Sequence, residues 1–154
     1  MATDIRILHG DLSPGLAMSA FSDAHPESGA IVSFVGKVRP DGGVEELELK
    51  HYAPLTLKGM GELADATLAR WPIEGVLLHH RTGSILPGAP IVLVAAAAKH
   101  RRDAFEAADF AMDHLKSDAW FWKREKRVDG WHWIEPRRED HADLARWSDK
   151  AGTI

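Results

Sequence analysis

Residues 113–125, Asp-His-Leu-Lys-Ser-Asp-Ala-Trp-Phe-Trp-Lys-Arg-Glu, join the clearest helical pattern of the chain to a predicted β-hairpin. Lys116 closes the helix, and Lys123 and Arg124 follow three consecutive aromatic side chains. Large rings beside cations indicate lysines at the edge of a packed surface. Desolvation there disfavours the charged ammonium and lowers the pKa of the lysine, which suits it to acid–base chemistry. The pattern is also typical of a half-buried strand with its rings inward and its cations in water.

The elements around this stretch are predicted from periodicity and turn signals. The helix before it covers residues 103–116, whose apolar side chains recur on one face. The hairpin after it comprises residues 120–128 and 131–135 around Asp129-Gly130, a favoured hairpin dipeptide. Further strands are predicted over residues 5–8, 30–38, 44–52, 75–81 and 90–98. Further helices are predicted over residues 14–22 and 55–71, with a short one after residue 138 that ends near residue 147.

Strands and helices that mix without strict alternation favour the α+β class, with two helices packed on one mixed or antiparallel sheet. The 154 residues, 45% of them hydrophobic, fit a single domain over residues 1–154. The net charge of −4 argues against bulk attraction to nucleic acid or to an anionic membrane. The absence of cysteine excludes disulfides and cysteine nucleophiles. The first residues lack the features of a signal peptide, so we expect a cytoplasmic location.

Three groups of basic side chains are candidates for binding an anion. The first, residues 36–39, ends a predicted strand just before a turn. The second, residues 99–102, lies at the start of the predicted helix, where backbone N–H groups favour anions. The third is Lys116 with residues 123–125. For the first two groups, a solvated strand end and a basic loop are the alternative interpretations.

Other chemistries lack their motifs in this sequence. No HExxH, GxGxxG or P-loop pattern is present. His79 and His80 are adjacent on a predicted strand, so they face opposite sides and cannot both bind one metal ion. The acidic net charge and the lack of an aromatic–basic repeat argue against a nucleic-acid platform. Most of the six tryptophans are therefore predicted to lie in the core.

The ordered set of motifs resembles the large catalytic subunit of molybdopterin synthase over about residues 29–147. Each short piece is weak alone, and their order makes the set specific. The pieces are GAIVSFVGKVR at residues 29–39, LKHY at 49–52, HRTG at 80–83, PG at 87–88, HR at 100–101, FEA at 105–107, LK at 115–116, FWKRE at 121–125 and WIEPR at 133–137.

The resemblance implies a sulfurtransferase of molybdenum cofactor biosynthesis that makes molybdopterin by forming its dithiolene. Its substrate would be cyclic pyranopterin monophosphate, and its sulfur would come from the C-terminal Gly-Gly thiocarboxylate of a small ubiquitin-like carrier protein. It implies a hammerhead-like α+β fold, with a mixed or antiparallel sheet, packed helices and an additional β-hairpin region. It also implies a homodimer at the core of a heterotetramer, with no cofactor and no metal.

The resemblance assigns catalysis to Lys116 and Lys123. We expect Lys116 near the terminal glycine of the carrier, and Lys123 near the pterin side chain as general acid–base. His100 and Arg101 are expected to reach across the dimer interface. Besides the two lysines, the substrate-binding residues implied are Lys37, Val38, Arg39, His100, Arg101, Arg124, Glu125 and Arg137.

Trp120 departs from the family pattern, in which a smaller residue or proline precedes the position of Phe121. The large ring could narrow the channel for the carrier tail, but packing in the core is the preferred interpretation. Residues 1–28 match the family only loosely, so no function is assigned to them.

Two other functions fit the same basic side chains. One is a non-catalytic dimeric module that binds a phosphorylated pterin or the C-terminal tail of a partner. The other is a stand-alone phosphoryl or acyl transferase that uses Lys123. The synthase is favoured over the transferase, because a self-sufficient transferase usually shows its own nucleophile or metal motif.

Overall fold

Eight strands and four helices make up the part of the chain that the structure describes. This computed structural model describes residues 2–40, 42–117, 120–135, 138–145 and 147–148, with the backbone alone for 138–140. The strands are β1 Thr3–Leu8, β2 Ala30–Lys37, β3 Glu46–His51, β4 Ile73–Arg81, β5 Gly83–Ile85, β6 Pro90–Ala98, β7 Phe121–Arg127 and β8 Gly130–Ile134. The helices are α1 Pro14–Ala24, α2 Ala53–Arg70, α3 Arg101–Ser117 and α4 Arg138–Ala145.

The first sheet has the strand order β1-β4-β6-β2, with β1 parallel to β4 and the other pairs antiparallel. Residues 92–98 of β6 are buried, because helices cover both faces of the sheet. Helix α1 covers one face through Phe21, and α2 and α3 cover the other, where Phe110 lies in the main core cluster. Ala96 of β6 packs against Ala107 and Ala108, so α3 approaches the strand closely there.

The second sheet has the order β5-β3-β7-β8 and is antiparallel throughout. The prediction of a single sheet was therefore incomplete, because the hairpin joins β3 and β5 in a sheet of its own. Strand β5 lies between the predicted strands 75–81 and 90–98, where no strand was predicted. It begins at Gly83 with a φ of 89°, a conformation that glycine adopts without steric cost. A strand of three residues is too short to show an alternating pattern.

The α+β class and the remaining predicted elements are confirmed, with ends within two residues of those predicted. Gly36 marks a bulge, because the register of β2 with β6 shifts between Gly36 and Lys37. An added Cβ at Gly36 would lie 2.6 Å from Cγ1 of Val92, so the backbone approaches β6 closely there. Ser13 occupies the N-cap position of α1 with proline next to it, but its side chain makes no capping hydrogen bond.

An aromatic cluster holds the C-terminal half of α3. The rings of Trp71, Phe110 and Trp147 meet edge to face, with centroids 5.1 to 5.7 Å apart. The indole N–H of Trp147 donates to the Asp113 carboxylate at 2.6 Å. These contacts fix the last turns of α3 and therefore the position of Lys116.

Trp120 packs in the core, as predicted, in a notch on α2. An added Cβ at Gly59 would lie 2.3 Å from the Trp120 indole, so only glycine leaves room for the ring. The Thr56 hydroxyl donates to the backbone carbonyl of Trp120 at 2.8 Å. Both contacts fix the start of β7 against α2.

We predict that Gly59→Ala destabilises the fold by about 1–3 kcal/mol, because the added methyl overpacks the Trp120 notch. Urea denaturation followed by tryptophan fluorescence measures the change. Gly61→Ala is the matched control on the same helix, since nothing lies within 4 Å of an added Cβ there. It should stabilise by up to about 1 kcal/mol through helix propensity. Equal effects of the two substitutions would contradict the notch.

Candidate active site

A cavity of about 800 Å³ opens where the two sheets meet. The end of β2 and its following loop, the last turns of α3 and one face of β7 contribute most of its wall. Apolar side chains, among them Val38, Met112 and Leu115, form part of the lining. The volume and the mixed lining are typical of a site for a small-molecule ligand.

The polar lining of the cavity is mainly cationic. Its two described carboxylates are Glu125 and Glu135, and Glu125 is engaged by Arg127 at 2.7 Å. Such an excess of positive charge in a recessed, partly apolar cavity attracts anions. The five described cations of the lining are Lys37, Arg39, Lys116, Lys123 and Arg127.

The two predicted catalytic lysines both line this cavity. Lys116 is exposed in the last turn of α3, whereas Lys123 is half-buried in the middle of β7. Lys123 lies between Leu49 of β3 and Ile134 of β8. The interpretation with rings inward and cations in water holds for Phe121, which packs against the core, and for Lys126, which is exposed. It does not hold for Trp122, which is 47% exposed, or for Lys123, which lines the cavity.

Arg124 lies on the other face of β7 and does not line the cavity. Its guanidinium donates two hydrogen bonds to the Glu48 carboxylate, at 2.9 and 3.2 Å, and lies over the Trp131 ring at 4.2 Å. The hydrogen bond from Arg124 lowers the pKa of Glu48. Within one chain, Arg124 is therefore part of an ion pair on the outer face of the sheet.

His100 and Arg101 also lie away from the cavity of their own chain. Both are exposed at the start of α3, just after the C-terminal end of β6. The cavity includes Ile91, near the opposite end of β6. The nine residues of β6 span roughly 25 Å, so these two side chains cannot reach the cavity of the same chain. Arg137, the remaining predicted site residue, lies outside the described residues.

His80 lines the cavity but received no role from the sequence. Its ring stacks on Phe121, with centroids 3.9 Å apart and planes 19° from parallel. Burial lowers the pKa of His80 to about 3, so the ring is neutral near pH 7. The HRTG motif contained this residue, and only the three-dimensional packing against β7 reveals its position. Arg127 was also missed, although its alternation with Lys123 along β7 points it to the same side.

Among the described residues, no group of three or more histidine, aspartate or glutamate side chains could hold a metal ion. No described helix is both long enough and apolar enough to cross a membrane.

The structure defines an α+β protein with a recessed, mainly cationic cavity suited to a small-molecule ligand. Residues 8–118 match the family model of the MoaE protein. The molybdopterin synthase catalytic subunit of Ralstonia nicotianae is 43% identical over 93% of this chain and 83% of its own length. The chain belongs to the MoaE family of molybdopterin synthase catalytic subunits, enzymes of the sulfurtransferase class. The predicted family, fold class and enzyme class are therefore confirmed.

Solved structures agree with this assignment. The molybdopterin biosynthesis MoaE protein of Burkholderia ambifaria has a TM-score of 0.83 at 40% identity, over 96% of this chain and 99% of that one. A chain in the complex of subunits 1 and 2 of molybdopterin-converting factor from Helicobacter pylori has the same fold. Its TM-score is 0.74 at 23% identity, over 86% of this chain and 91% of that one.

We predict that His80→Phe flattens the dependence of stability on pH below neutrality. The folded-state pKa of about 3 lies below the ordinary value of about 6.5, so at intermediate pH only the unfolded chain binds this proton. Stability contributed by neutral His80 is therefore present above pH ~6.5 and is lost as the pH falls toward 3. Urea unfolding at pH 7 and pH 5 measures the slope, and an identical slope in the variant would refute the assignment.

Proposed function

We propose that the cavity binds cyclic pyranopterin monophosphate and that the chain converts it to molybdopterin with sulfur from a carrier protein. The observation that carries the proposal is the convergence of Lys37, Arg39, Lys116 and Lys123 on one cavity. The cyclic phosphate of the substrate is an anion, and a guanidinium can hold two of its oxygens at once. The lysines act as movable point charges and proton carriers beside it. The proposal includes a cytoplasmic location.

The proposed sulfur donor is the C-terminal thiocarboxylate of a small ubiquitin-like carrier. The chain itself has no cysteine, in keeping with sulfur that arrives on a partner. We propose a two-subunit assembly of the kind named for the Helicobacter pylori complex. The carrier tail would enter the cavity past Lys116, because this lysine is exposed at the end of α3 whereas Lys123 lies deeper.

The chemistry needs cations at two points. In the first of two sulfur transfers, the thiocarboxylate sulfur attacks a carbon of the pterin side chain, and the carbon–oxygen bond to the phosphate breaks to open the ring. Both reactants are anionic, so nearby ammonium groups offset their repulsion and stabilise the charge that develops on the leaving oxygen. The sulfur is then acyl-linked to the carrier, and water cleaves that link to leave a thiol on the pterin and a carboxylate on the carrier. A second thiocarboxylated carrier supplies the other sulfur of the dithiolene. We assign proton transfer at the pterin to Lys123 and stabilisation at the carrier carbonyl to Lys116.

The proposed site is completed by a second copy of the chain. Strand β2 is an edge strand of the first sheet, and the structure pairs it only with β6 among the described strands. Three consecutive residues of β2, Ser33, Phe34 and Val35, are exposed. Successive side chains point to opposite faces, so both faces of the strand are uncovered at its centre. Apolar residues at an open edge suit pairing with another strand.

Antiparallel pairing of two β2 strands brings the separated residues together. If the twofold axis passes near Phe34, residue 39 of one copy lies opposite residue 29 of the other. Residue 29 adjoins the start of α3, because an added Cβ at Gly29 would lie 2.5 Å from the carbonyl oxygen of Lys99. His100 and Arg101 of one copy then face the cavity of the other, beside Arg39. This arrangement explains why one chain alone holds its predicted site residues at two distant places.

We predict that Lys116→Ala and Lys123→Ala each lower product formation about 100-fold or more, since each removes a group that stabilises charge or transfers a proton. The assay combines the chain, cyclic pyranopterin monophosphate and thiocarboxylated carrier, and follows molybdopterin by its fluorescent oxidation product. Lys126→Ala is the control, because Lys126 is exposed on the same strand and does not line the cavity. Activity retained by both cavity variants would exclude the assigned roles.

We predict that two inactive variants restore activity when co-expressed. One chain carries His100→Ala with Arg101→Ala, and the other carries Lys123→Ala. A mixed dimer has one intact site, made from the Lys123 of one copy and the His100 and Arg101 of the other. Random pairing then gives about a quarter of the wild-type activity, because half of the dimers are mixed and each has one of two sites.

Two controls make this test specific. Co-expression of Lys116→Ala with Lys123→Ala should restore nothing, because both substitutions fall in the same half of the site. Analytical ultracentrifugation establishes the dimer independently of activity. A dimer without restoration by the first pair would show that His100 and Arg101 do not act across the interface.

A further inference from the structure

Glu125 and Arg127 form an ion pair in the wall of the cavity, and the proposed mechanism uses neither side chain. Both are half-buried and lie two residues apart on the inner face of β7. Nε of Arg127 donates to Oε1 of Glu125 at 2.9 Å, and Nη2 lies 2.7 Å from the same oxygen. The pair therefore uses one oxygen of the carboxylate and one side of the guanidinium.

Polar atoms of both side chains remain for a ligand. Within the part of the chain that the structure describes, neither Oε2 of Glu125 nor Nη1 of Arg127 has a hydrogen-bond partner. A carboxylate oxygen accepts hydrogen bonds, and a guanidinium nitrogen donates them. The pair thus presents an acceptor beside a donor at one place in the cavity.

The surroundings of the pair hold it in place and leave it open to the cavity. Leu47 of β3 lies opposite Glu125 in the register of the second sheet, and it also lines the cavity. The loop after β2 approaches the guanidinium, since an added Cβ at Gly42 would lie 3.5 Å from both Nη atoms of Arg127. Without a side chain, Gly42 supports the guanidinium and does not cover it. A donor and an acceptor fixed in this way suit the recognition of one ligand edge.

The proposed substrate has an edge that matches this arrangement. Its pterin ring carries a 2-amino group and an N3–H, which donate hydrogen bonds, next to a 4-oxo oxygen, which accepts them. Hydrogen bonds to a carboxylate or from a guanidinium are stronger than those between neutral groups. A site built to pair with such polar groups rejects a ring that lacks one of them, because its own polar groups are then left unpaired.

The position of the pair along β7 agrees with the proposed role of Lys123. Glu125 and Arg127 lie roughly 7 and 13 Å beyond Lys123 along the strand. In the substrate, the side-chain carbons and the amino–oxo edge of the pterin lie at opposite ends of the fused rings. A substrate with its reacting carbons at Lys123 therefore extends its other end toward the pair, beside the apolar side chain of Leu47.

We propose that Glu125 and Arg127 determine specificity for the pterin ring. Oε2 of Glu125 accepts from the 2-amino and N3–H groups, and Nη1 of Arg127 donates to the 4-oxo oxygen. This inference rests on the proposed function and involves no covalent step. Guanine carries the same edge, so a guanine nucleotide is the other ligand that this chemistry could select.

The first test compares the binding of 6-hydroxymethylpterin with that of 6-hydroxymethyllumazine, in which an oxygen replaces the 2-amino group. Fluorescence titration should show that the wild-type chain prefers the pterin by about tenfold or more, because the second oxygen would face Oε2 of Glu125. Glu125→Gln should lower the preference below about threefold, since its amide can donate to that oxygen. Glu135→Gln is the matched control, because it removes the other described carboxylate of the lining and should keep the preference.

Three outcomes of this comparison would overturn the proposal. They are equal binding of the two rings by the wild-type chain, an unchanged preference in Glu125→Gln, and a lost preference in Glu135→Gln. The first of these needs no variant, so the proposal can be refuted even where a substitution prevents folding. A structural role alone for the ion pair would change the urea midpoint and leave the preference as it is.

Arg127→Met gives a different pattern, because both rings keep the 4-oxo group that Arg127 contacts. We expect both ligands to bind about tenfold more weakly, with the preference for the pterin retained. Both rings are uncharged, so a loss of general attraction to anions does not account for the weakening. Unchanged affinity for both rings in Arg127→Met would overturn the role of Arg127.

Competition between nucleotide and pterin distinguishes the two sources of the edge. Cyclic pyranopterin monophosphate should bind the wild-type chain more tightly than guanosine monophosphate, and equal or tighter binding of the nucleotide would overturn the assignment to a pterin. Failure of the proposed function is distinguishable, because these binding measurements need no turnover. A wild-type chain that shows the preference but forms no molybdopterin would refute the proposed function alone.

Discussion

The close packing of α3 on β6 is the constraint on which the rest of the structure depends. Ala96 of β6 packs against Ala107 and Ala108 of α3, and these small side chains let the helix lie close to the strand. Its 17 residues span about 25 Å, nearly the length of β6. One end of the helix therefore carries Lys116 to the cavity, and the other holds His100 and Arg101 a full strand length away. A single chain cannot bring both ends to one ligand.

The same geometry explains how a chain of net charge −4 presents a cationic cavity. Strand β7 alternates its charges between two faces. Arg124 points outward, where Glu48 neutralises it and Trp131 covers it. Lys123 points inward beside Glu125, whose carboxylate is engaged by Arg127. The carboxylate of the inner face is thus already paired, and the field of the lysines toward a bound anion is only weakly reduced.

The positions of the main helices and strands were predictable from the sequence, because long elements keep a regular hydrophobic pattern. Helix α3 has a wide apolar face, and β6 is an unbroken apolar run, so the sequence located both within two residues. Strand β5 was not predictable, because three residues have no period. Arg124 and Lys123 were both predicted to bind substrate because they share one motif. Adjacent residues of a strand point to opposite faces, so the sequence could have shown that only one of them faces the cavity. His80 was beyond the sequence, because its place depends on β4 meeting β7 across two sheets.

The open edge of β2 connects stability to function. An exposed apolar edge strand can pair with strands of other chains and lead to aggregation. Natural proteins usually avoid this with a short edge strand, charged side chains or a covering element. Here Phe34 and Val35 are left at the centre of the edge, with Lys37 at its end. In the dimer that we propose, β2 of a second copy covers this edge. The same pairing brings His100 and Arg101 of that copy to the cavity of the first. A chain that failed to dimerise would then lose its activity and its protection against aggregation together. The contact that completes the site is therefore also the contact that covers the exposed edge.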